Sequence, residues 1–134
     1  MTIQFSTTTR NNMLDSFETT AGTTAQLRIY SGSVPATPAT AASGTLLVTM
    51  TLPSDWMAAA SAGAKSKTGT WSGTGAAAGT AGYFRVLDSA GTTCHMQGTV
   101  TATGGGGDMT LDNTSIASAQ TITVNTFVLT AGNP

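Results

Sequence analysis

The chain has 134 residues, and only 8% of them are charged, against roughly 25% in ordinary soluble proteins. Five Lys/Arg and six Asp/Glu give a net charge of −1. A DNA-binding protein neutralises about 6–10 phosphates with basic groups, so we expect no direct binding to nucleic acid or to an anionic membrane. The length predicts one domain, residues 1–134, large enough to bury a core.

The cysteine content and the N-terminal residues indicate where the chain is made. Cys94 is the only cysteine and cannot form an internal disulfide, which fits a reducing cytoplasm. Residues 1–22 carry Arg10, Asp15 and Glu18 and lack the apolar run of a signal peptide. No segment has the length and apolar character of a membrane-spanning helix. We therefore expect synthesis in the cytoplasm and no membrane partner.

The first predicted element is a short amphipathic helix over residues 9–22. Met13, Leu14 and Phe17 fall on one side of it, a preceding threonine can cap its start, and Gly22 can end it with a positive φ. A helix of this length is not stable alone, so its apolar side should pack on a sheet. Residues 2–6 before it predict a short strand or an arm.

From residue 25 the apolar period changes to two, which is typical of strands. Leu27 and Ile29 share one face of the next segment, and Arg28 and Tyr30 share the other. After a Pro-, Ala- and Thr-rich loop, a second strand points four apolar side chains inward: Leu46, Val48, Met50 and Leu52. Residues 54–64 are ambiguous between helix and loop. Residues 65–71 predict an exposed edge strand whose lysines discourage strand addition.

The segment YFRVLDSAGTTCHMQGTV, residues 83–100, predicts a β-hairpin with a three-residue loop at 89–91. Gly91 can occupy the left-handed region that such a loop requires. The predicted register places Val86 opposite Cys94 and Phe84 opposite Met96 on an apolar face. On the other face it places Arg85 opposite His95.

Cys94 and His95 stand side by side, which raises the possibility of a nucleophile and its base. Neighbouring residues of a strand point to opposite faces of the sheet, so these two side chains should not pair. Cys94 is predicted in the core, and His95 at solvent or at an interface. Because the chain has no second histidine, a His-paired zinc site is excluded.

The remaining motifs do not predict a cofactor or metal site. The four glycines at 104–107 lack the lysine and helix of a phosphate loop, which favours a flexible loop. Asp108, Thr110 and Asp112 resemble the start of a calcium loop without its glycine and closing glutamate, which favours a solvated strand face. Trp56 and Trp71 could stack sugars, but more often such residues fill a core edge or a subunit interface. We predict that the chain is not an enzyme.

The last strand, residues 120–130, changes parity between Val124 and Phe127, which predicts a β-bulge near 125–126. Seven or so short strands separated by Gly-, Ser-, Thr- and Pro-rich loops indicate an all-β fold. The pattern favours an antiparallel β-sandwich, jelly-roll or immunoglobulin-like, with one short N-terminal helix.

Several segments together resemble a known family: LRIYSGSVP, YFRVLDSAGTTCHMQGTV, DMTLDNTSIASAQTITV and TFVLTAG. They are similar to the head decoration, or cement, proteins of short-tailed bacteriophages. The resemblance implies a β-sandwich of jelly-roll type that forms homodimers on the outer surface of the phage head. There it would bridge neighbouring subunits of the major capsid protein. No catalytic residues are carried over.

Two other functions stay open at this stage: a phage tail or baseplate component or receptor-binding adhesin, and a small enzyme. The absence of titratable groups at workable spacing speaks against the enzyme. For an interface, the candidates are the aromatic residues and two outward strand faces: Arg28, Tyr30, Trp56, Trp71, Arg85 and His95.

Overall fold

The computed structural model describes residues 2–133. The chain is mostly β, with 40% of residues in strands and a helix near the N-terminus. The elements are α1 Thr7–Ala21, β1 Gln26–Ser31, β2 Leu46–Thr51, β3 Ala64–Ser66, β4 Trp71–Thr74, β5 Gly79–Leu87, β6 Cys94–Ala102, β7 Met109–Leu111, β8 Ser115–Ile116, β9 Thr121–Val124 and β10 Val128–Thr130. No helix within residues 2–133 is long and apolar enough to cross a membrane.

The strands form one large sheet and two ribbons. The main sheet has the order β2-β1-β5-β6-β7, and β8 pairs with the start of β5. One ribbon joins β10 to β3 and the other joins β4 to β9. The prediction of all-antiparallel pairing is wrong for β6 and β7, which run parallel. The glycine-rich loop between β6 and β7 carries the chain back from the end of β6 to the start of β7 within a few residues. Its tight turns place Gly104 at φ +86° and Gly106 at φ +79°.

Helix α1 begins two residues earlier than predicted, and Ser6 rather than a threonine caps it. The Thr9 backbone N–H donates to Ser6 Oγ at 3.1 Å. Gly22 ends the helix at φ +85°, as predicted. Leu14 is buried, but Met13 is 52% exposed, so its predicted docking is wrong. The docking of Phe17 is confirmed, since its ring packs edge-on against Trp56 with centroids 5.6 Å apart.

The predicted core positions of the strands are largely confirmed. Leu27 and Ile29 in β1 are fully buried, and so are Val48 and Met50 in β2. Leu47 is also fully buried, because the β1–β2 register shifts between Ile29 and Tyr30 and leaves it as the extra residue of a bulge. Met109 and Leu111 are buried as predicted. Residues 54–64 contain no helix, and Trp56 and Met57 from this segment lie in the core.

The predicted register of the β5–β6 hairpin is wrong by two residues. Val86 lies opposite Met96, Phe84 opposite Gly98 and Arg85 opposite Gln97. A Cβ on residue 98 would lie 2.7 Å from the Phe84 ring, so this register needs a glycine there. Gly91 has φ +71°, as predicted.

The hairpin loop is longer than predicted because Asp88 organises it. Its carboxylate accepts hydrogen bonds from the backbone N–H groups of Thr92, at 2.9 Å, and Thr93, at 3.4 Å. These bonds lower the pKa of Asp88. The register then shifts between Val86 and Leu87, which brings Leu87 opposite Cys94.

The C-terminal segment contains a break where a bulge was predicted. Strand β9 ends at Val124 and pairs with β4, whereas β10 begins at Val128 and pairs with β3. The predicted inward positions are confirmed, since Ile122, Val124 and Phe127 are all buried. The pairing with β10 also corrects the edge-strand prediction: Lys65 in β3 is only 2% exposed.

Candidate contact surface

The outer face of the main sheet carries two polar rows of side chains. In the first row, Arg28 of β1 lies opposite Arg85 of β5, which lies opposite Gln97 of β6. In the second, Tyr30 lies opposite Tyr83, and their rings stack with centroids 5.0 Å apart and an angle of 8° between planes. Strand alternation fixes this arrangement, because the residues between them face the core.

The Pro-, Ala- and Thr-rich segment 32–44, here called the cover loop, is tied to this face by hydrogen bonds. The Tyr83 hydroxyl donates to the Ser43 carbonyl and accepts from the Ser43 N–H at 3.0 Å. Gln97 Nε2 donates to the Pro35 carbonyl at 2.6 Å. Arg85 Nη2 donates to the Thr40 carbonyl. The cover loop is therefore held at three separate points along its length.

Arg85 is the central anchor of the cover loop. It is 5% exposed, and its guanidinium also donates to Gln97 Oε1 at 2.9 Å. Its acceptors are carbonyl and amide oxygens, with no carboxylate in a salt bridge to it among residues 2–133. Its Nε has no hydrogen-bond partner. The planar guanidinium can serve several acceptors at once, which a lysine could not do with the same geometry.

The outward side of the cover loop is a solvent-exposed surface. Residues 36–45 are all exposed, and none of residues 31–45 carries a charge. The Thr37 and Thr40 hydroxyls hydrogen-bond each other at 3.0 Å, which adds a local constraint. The result is an anchored, electrically neutral surface of methyl groups, hydroxyls and backbone amides.

Four of the six residues predicted at an interface are buried: Tyr30 and Arg85 on the face that the cover loop covers, and Trp56 and Trp71 in the core. Trp56 and Trp71 have no exposed area, so neither indole can contact a partner of the folded chain. They pack against each other with ring centroids 5.9 Å apart, inside the core. Tyr30 is 7% exposed and shares the covered face with Arg85. Sequence reasoning identified the correct sheet face and missed the loop that covers it.

Arg28 and His95 are the two predicted interface residues that keep a substantial exposed fraction, since both are half-buried. The Arg28 guanidinium donates to Gln26 Oε1 at 2.9 Å, and Gln26 Nε2 donates to the Ser89 carbonyl at 3.0 Å. These bonds join β1 to the hairpin loop. Arg28 therefore lies at the rim of the covered face, beside the turn at Gly91.

Cys94 is half-buried and lies outside the core cluster, contrary to its predicted core position. The bulge in the hairpin places it opposite Leu87, whose alternate neighbour Arg85 faces outward. Cys94 Sγ donates to the Met96 carbonyl at 3.2 Å. Burial raises the pKa of this thiol, although the Arg85 charge works in the opposite direction. A raised pKa disfavours the thiolate that a nucleophilic cysteine needs.

A second polar cluster, which sequence reasoning missed, attaches α1 to the body. Lys65 Nζ lies 2.6 Å from Asp15 Oδ1 and 2.8 Å from Glu18 Oε2. The same carboxylates accept from backbone N–H groups, Asp15 from Ala60 at 2.9 Å and Glu18 from Met57 at 3.2 Å. The sequence signal for this cluster is the i, i+3 spacing of Asp15 and Glu18, because this spacing places both carboxylates on one side of the helix.

The acidic residues of the suspected calcium motif have structural partners. Asp108 accepts from the Thr99 N–H and hydroxyl, both at 2.8 Å, and these bonds lower its pKa. Asp112 accepts from Asn125 Nδ2 at 3.2 Å. Among residues 2–133, no group of three or more His, Cys, Asp or Glu side chains is placed to hold a metal ion.

No protein-family model matches the chain, and no match is found among curated proteins or among solved structures. The cover loop and its anchors are therefore the structural basis for a functional hypothesis.

Proposed function

We propose that this chain is a virion structural protein that decorates the outside of a bacteriophage head. In this role it bridges neighbouring subunits of the major capsid protein and stabilises the shell. The observation that carries the proposal is the cover loop, a neutral surface anchored by Arg85, Tyr83 and Gln97. The resemblance of its strand and turn segments to cement proteins of short-tailed phages supports the same function.

A neutral contact surface suits a protein that is packed at high density on a shell. Strongly charged copies placed side by side would repel one another, whereas residues 31–45 contribute no charge. Each contact to the capsid would use backbone groups, threonine hydroxyls and methyl groups. Several modest contacts across neighbouring subunits would add through multivalency.

The architecture proposed with this function is a β-sandwich of jelly-roll type, present as a homodimer. The main sheet would form one layer, and the β4–β9 and β10–β3 ribbons would contribute to the other. The Trp56, Trp71 and Phe127 rings fill the core in this region, with neighbouring centroids 5.7–5.9 Å apart.

The proposal is tested by mixing purified protein with heads that lack it, and separately with free capsid subunits. We expect saturable binding to heads, near equimolar with capsid protein, and a rise in the melting temperature of the heads. Binding should weaken little as salt rises, because few exposed charges are available for screening. Binding to tails or to host cells, with none to heads, would overturn the proposal in favour of a tail or adhesin function.

Matched variants locate the contact. Ala39→Glu and Ala41→Glu place a charge on the exposed cover loop, and Ala117→Glu places the same charge at an exposed position just after β8. We expect the first two to lower the amount bound to heads and the third to leave it unchanged. An equal effect of all three would exclude the cover loop as the contact surface.

A further inference from the structure

Among the strands of residues 2–133, none pairs with the second edge of β10. Strand β10 pairs with β3 on one side, where Lys67 N donates to the Phe127 carbonyl and Ala131 N donates to the Gly63 carbonyl, both at 2.9 Å. Residues of odd number therefore point their backbone groups toward β3. In an antiparallel ribbon the alternate residues point the other way, so Val128 and Thr130 present theirs to the open edge.

A groove of roughly 420 Å³ runs along this edge. Its lining includes five apolar side chains: Phe84, Met96, Phe127, Val128 and Leu129. Asp108 is the charged residue in the lining, and its carboxylate already accepts two hydrogen bonds from Thr99. Val128 is 53% exposed. An open strand edge beside an apolar groove is the geometry that accepts an added strand.

The N-terminal arm, residues 2–5, has the features of such a strand. It is uncharged, and Ile3 and Phe5 alternate with Thr2 and Gln4, as in a strand with one apolar face. Ile3 is 75% exposed and Phe5 is 47% exposed, so their own chain leaves them largely uncovered. These are two of the four large exposed apolar side chains of the described residues, and Val128 is another.

The base of the arm is fixed close to the end of β10. The Phe5 N–H donates to Asn133 Oδ1 at 3.0 Å, and Asn133 Nδ2 donates to the Phe5 carbonyl at 2.9 Å. Arg10 Nη1 donates to the Ala131 carbonyl at 3.1 Å, which holds the start of α1 to the same tail. The arm therefore leaves the body beside the strand whose edge is open, which is the arrangement needed for reciprocal exchange between two copies.

We propose that two copies of this chain exchange their N-terminal arms. Residues 2–5 of one copy would lie along the open edge of β10 of the other, with Ile3 and Phe5 in the groove. If each arm loses on the order of 300 Å² of exposed surface and covers an equal area of the partner's groove, the two contacts together bury about 1,200 Å². This is the lower end of the range for stable interfaces. This inference concerns how two copies join and does not require that the chain binds capsids.

The test is the dimer dissociation constant, measured by sedimentation equilibrium on the isolated protein. Ile3→Asp should weaken the dimer by about tenfold for each of its two arms, about 100-fold in all, because an apolar side chain loses its groove. Gln4→Asp is the matched control, since it adds the same charge to the other side of the same arm. Val128→Asp should weaken the dimer from the groove side.

Mixing Ile3→Asp copies with Val128→Asp copies identifies exchange between molecules. The mixed pair keeps one intact arm in one intact groove, and both substitutions fall on its other contact, where changes at touching residues are not additive. It therefore loses one contact rather than two and should associate more tightly than either variant with itself. A wild-type chain that stays monomeric, or equal weakening by Ile3→Asp and Gln4→Asp, would overturn the proposal. Faster hydrogen exchange of β10 in Ile3→Asp than in wild type, with both proteins diluted to the monomeric state, would also overturn it, because it would place the arm in its own groove. Head binding is measured separately, so either proposal can fail alone.

Discussion

The two buried cations of the described chain are held in opposite ways. Lys65, 2% exposed, attaches α1 to the body through two carboxylates of the helix, Asp15 and Glu18. Arg85, 5% exposed, attaches the cover loop through neutral carbonyl and amide oxygens. A compact ammonium group suits direct ion pairing, whereas the planar guanidinium suits several dipolar acceptors.

Because of this difference, the two cations affect different properties of the protein. Lys65 affects how stably α1 is attached, and Arg85 affects the charge that the surface presents. At α1, the charge of Lys65 is neutralised by the carboxylates beside it, so the ion pair with Asp15 is lost when Asp15 is protonated. At the cover loop, the positive charge is hidden below a neutral surface and depends on no titrating partner. The proposed contact surface can therefore be held in place by a charged residue without presenting that charge to a partner.

The largest loss of stability is expected when the ion pairs between Lys65 and α1 are removed. Lys65→Met should lower the free energy of unfolding by about 2–3 kcal/mol, below the range for fully buried pairs because both carboxylates keep contact with water. Lys67→Met is the matched control, since Lys67 lies 5.6 Å from the Trp71 ring centroid and is half-buried, and it should cost less than about 1 kcal/mol. Urea midpoints measure both. Equal losses would show that the ion pairs of Lys65 contribute no more than the contacts of half-buried Lys67.

The next effect is expected at the cover loop. Arg85→Met removes hydrogen bonds to Thr40 and Gln97 and should cost about 1.5–2 kcal/mol. Hydrogen exchange should speed up most in residues 36–44. Arg28→Met, which removes a half-buried guanidinium bonded to Gln26, should leave exchange in that segment unchanged. Exchange that rises evenly over the chain would contradict a local anchor.

Tyr83→Phe isolates a smaller part of the same anchor. It removes the hydroxyl that bonds both the N–H and the carbonyl of Ser43 and should cost about 1 kcal/mol. Tyr30→Phe keeps the ring stack and the Ser43 bonds and should cost less. The readout is limited proteolysis of the cover loop. Cleavage that is faster in the Tyr30 variant would reverse the assignment.

The smallest effect is the acid dependence of the Lys65 contribution. The hydrogen bond from Lys65 lowers the pKa of Asp15 below its ordinary 3.8. The stabilisation is therefore complete above 3.8 and is lost as pH falls through the lower folded value. Burial by itself would lower the pKa of Lys65, but the hydrogen bonds to Asp15 and Glu18 raise this pKa above 10.5. At alkaline pH the stabilisation by Lys65 is therefore lost only above pH 10.5.

In acid, the stability difference between wild type and Lys65→Met should therefore narrow, whereas the difference for Arg85→Met should stay constant. Urea midpoints over a pH series measure both differences. Parallel narrowing in the two variants would show that the loop anchor also depends on a titrating carboxylate.

Local sequence patterns determined several elements of this protein and the inward faces of several strands. Apolar alternation placed Leu27, Ile29 and Met109 inward, and Gly22 and Gly91 adopted the positive φ that their positions required. These features depend on neighbours within a few residues, where sterics and strand periodicity leave few choices. The same patterns identified the polar face of β1 and β5 that carries Arg28, Tyr30 and Arg85.

Only the tertiary structure decided which surfaces remain accessible. Lys65 is buried because α1 packs on β3, and Trp56 and Trp71 are buried because distant loops and strands converge on them. The hairpin register depended on Phe84 packing over Gly98, and the polar face was covered by a loop folding back from 32–44. Burial is a sum over contacts between residues far apart in sequence, so a pattern of single residues predicts which face is polar but not what covers it.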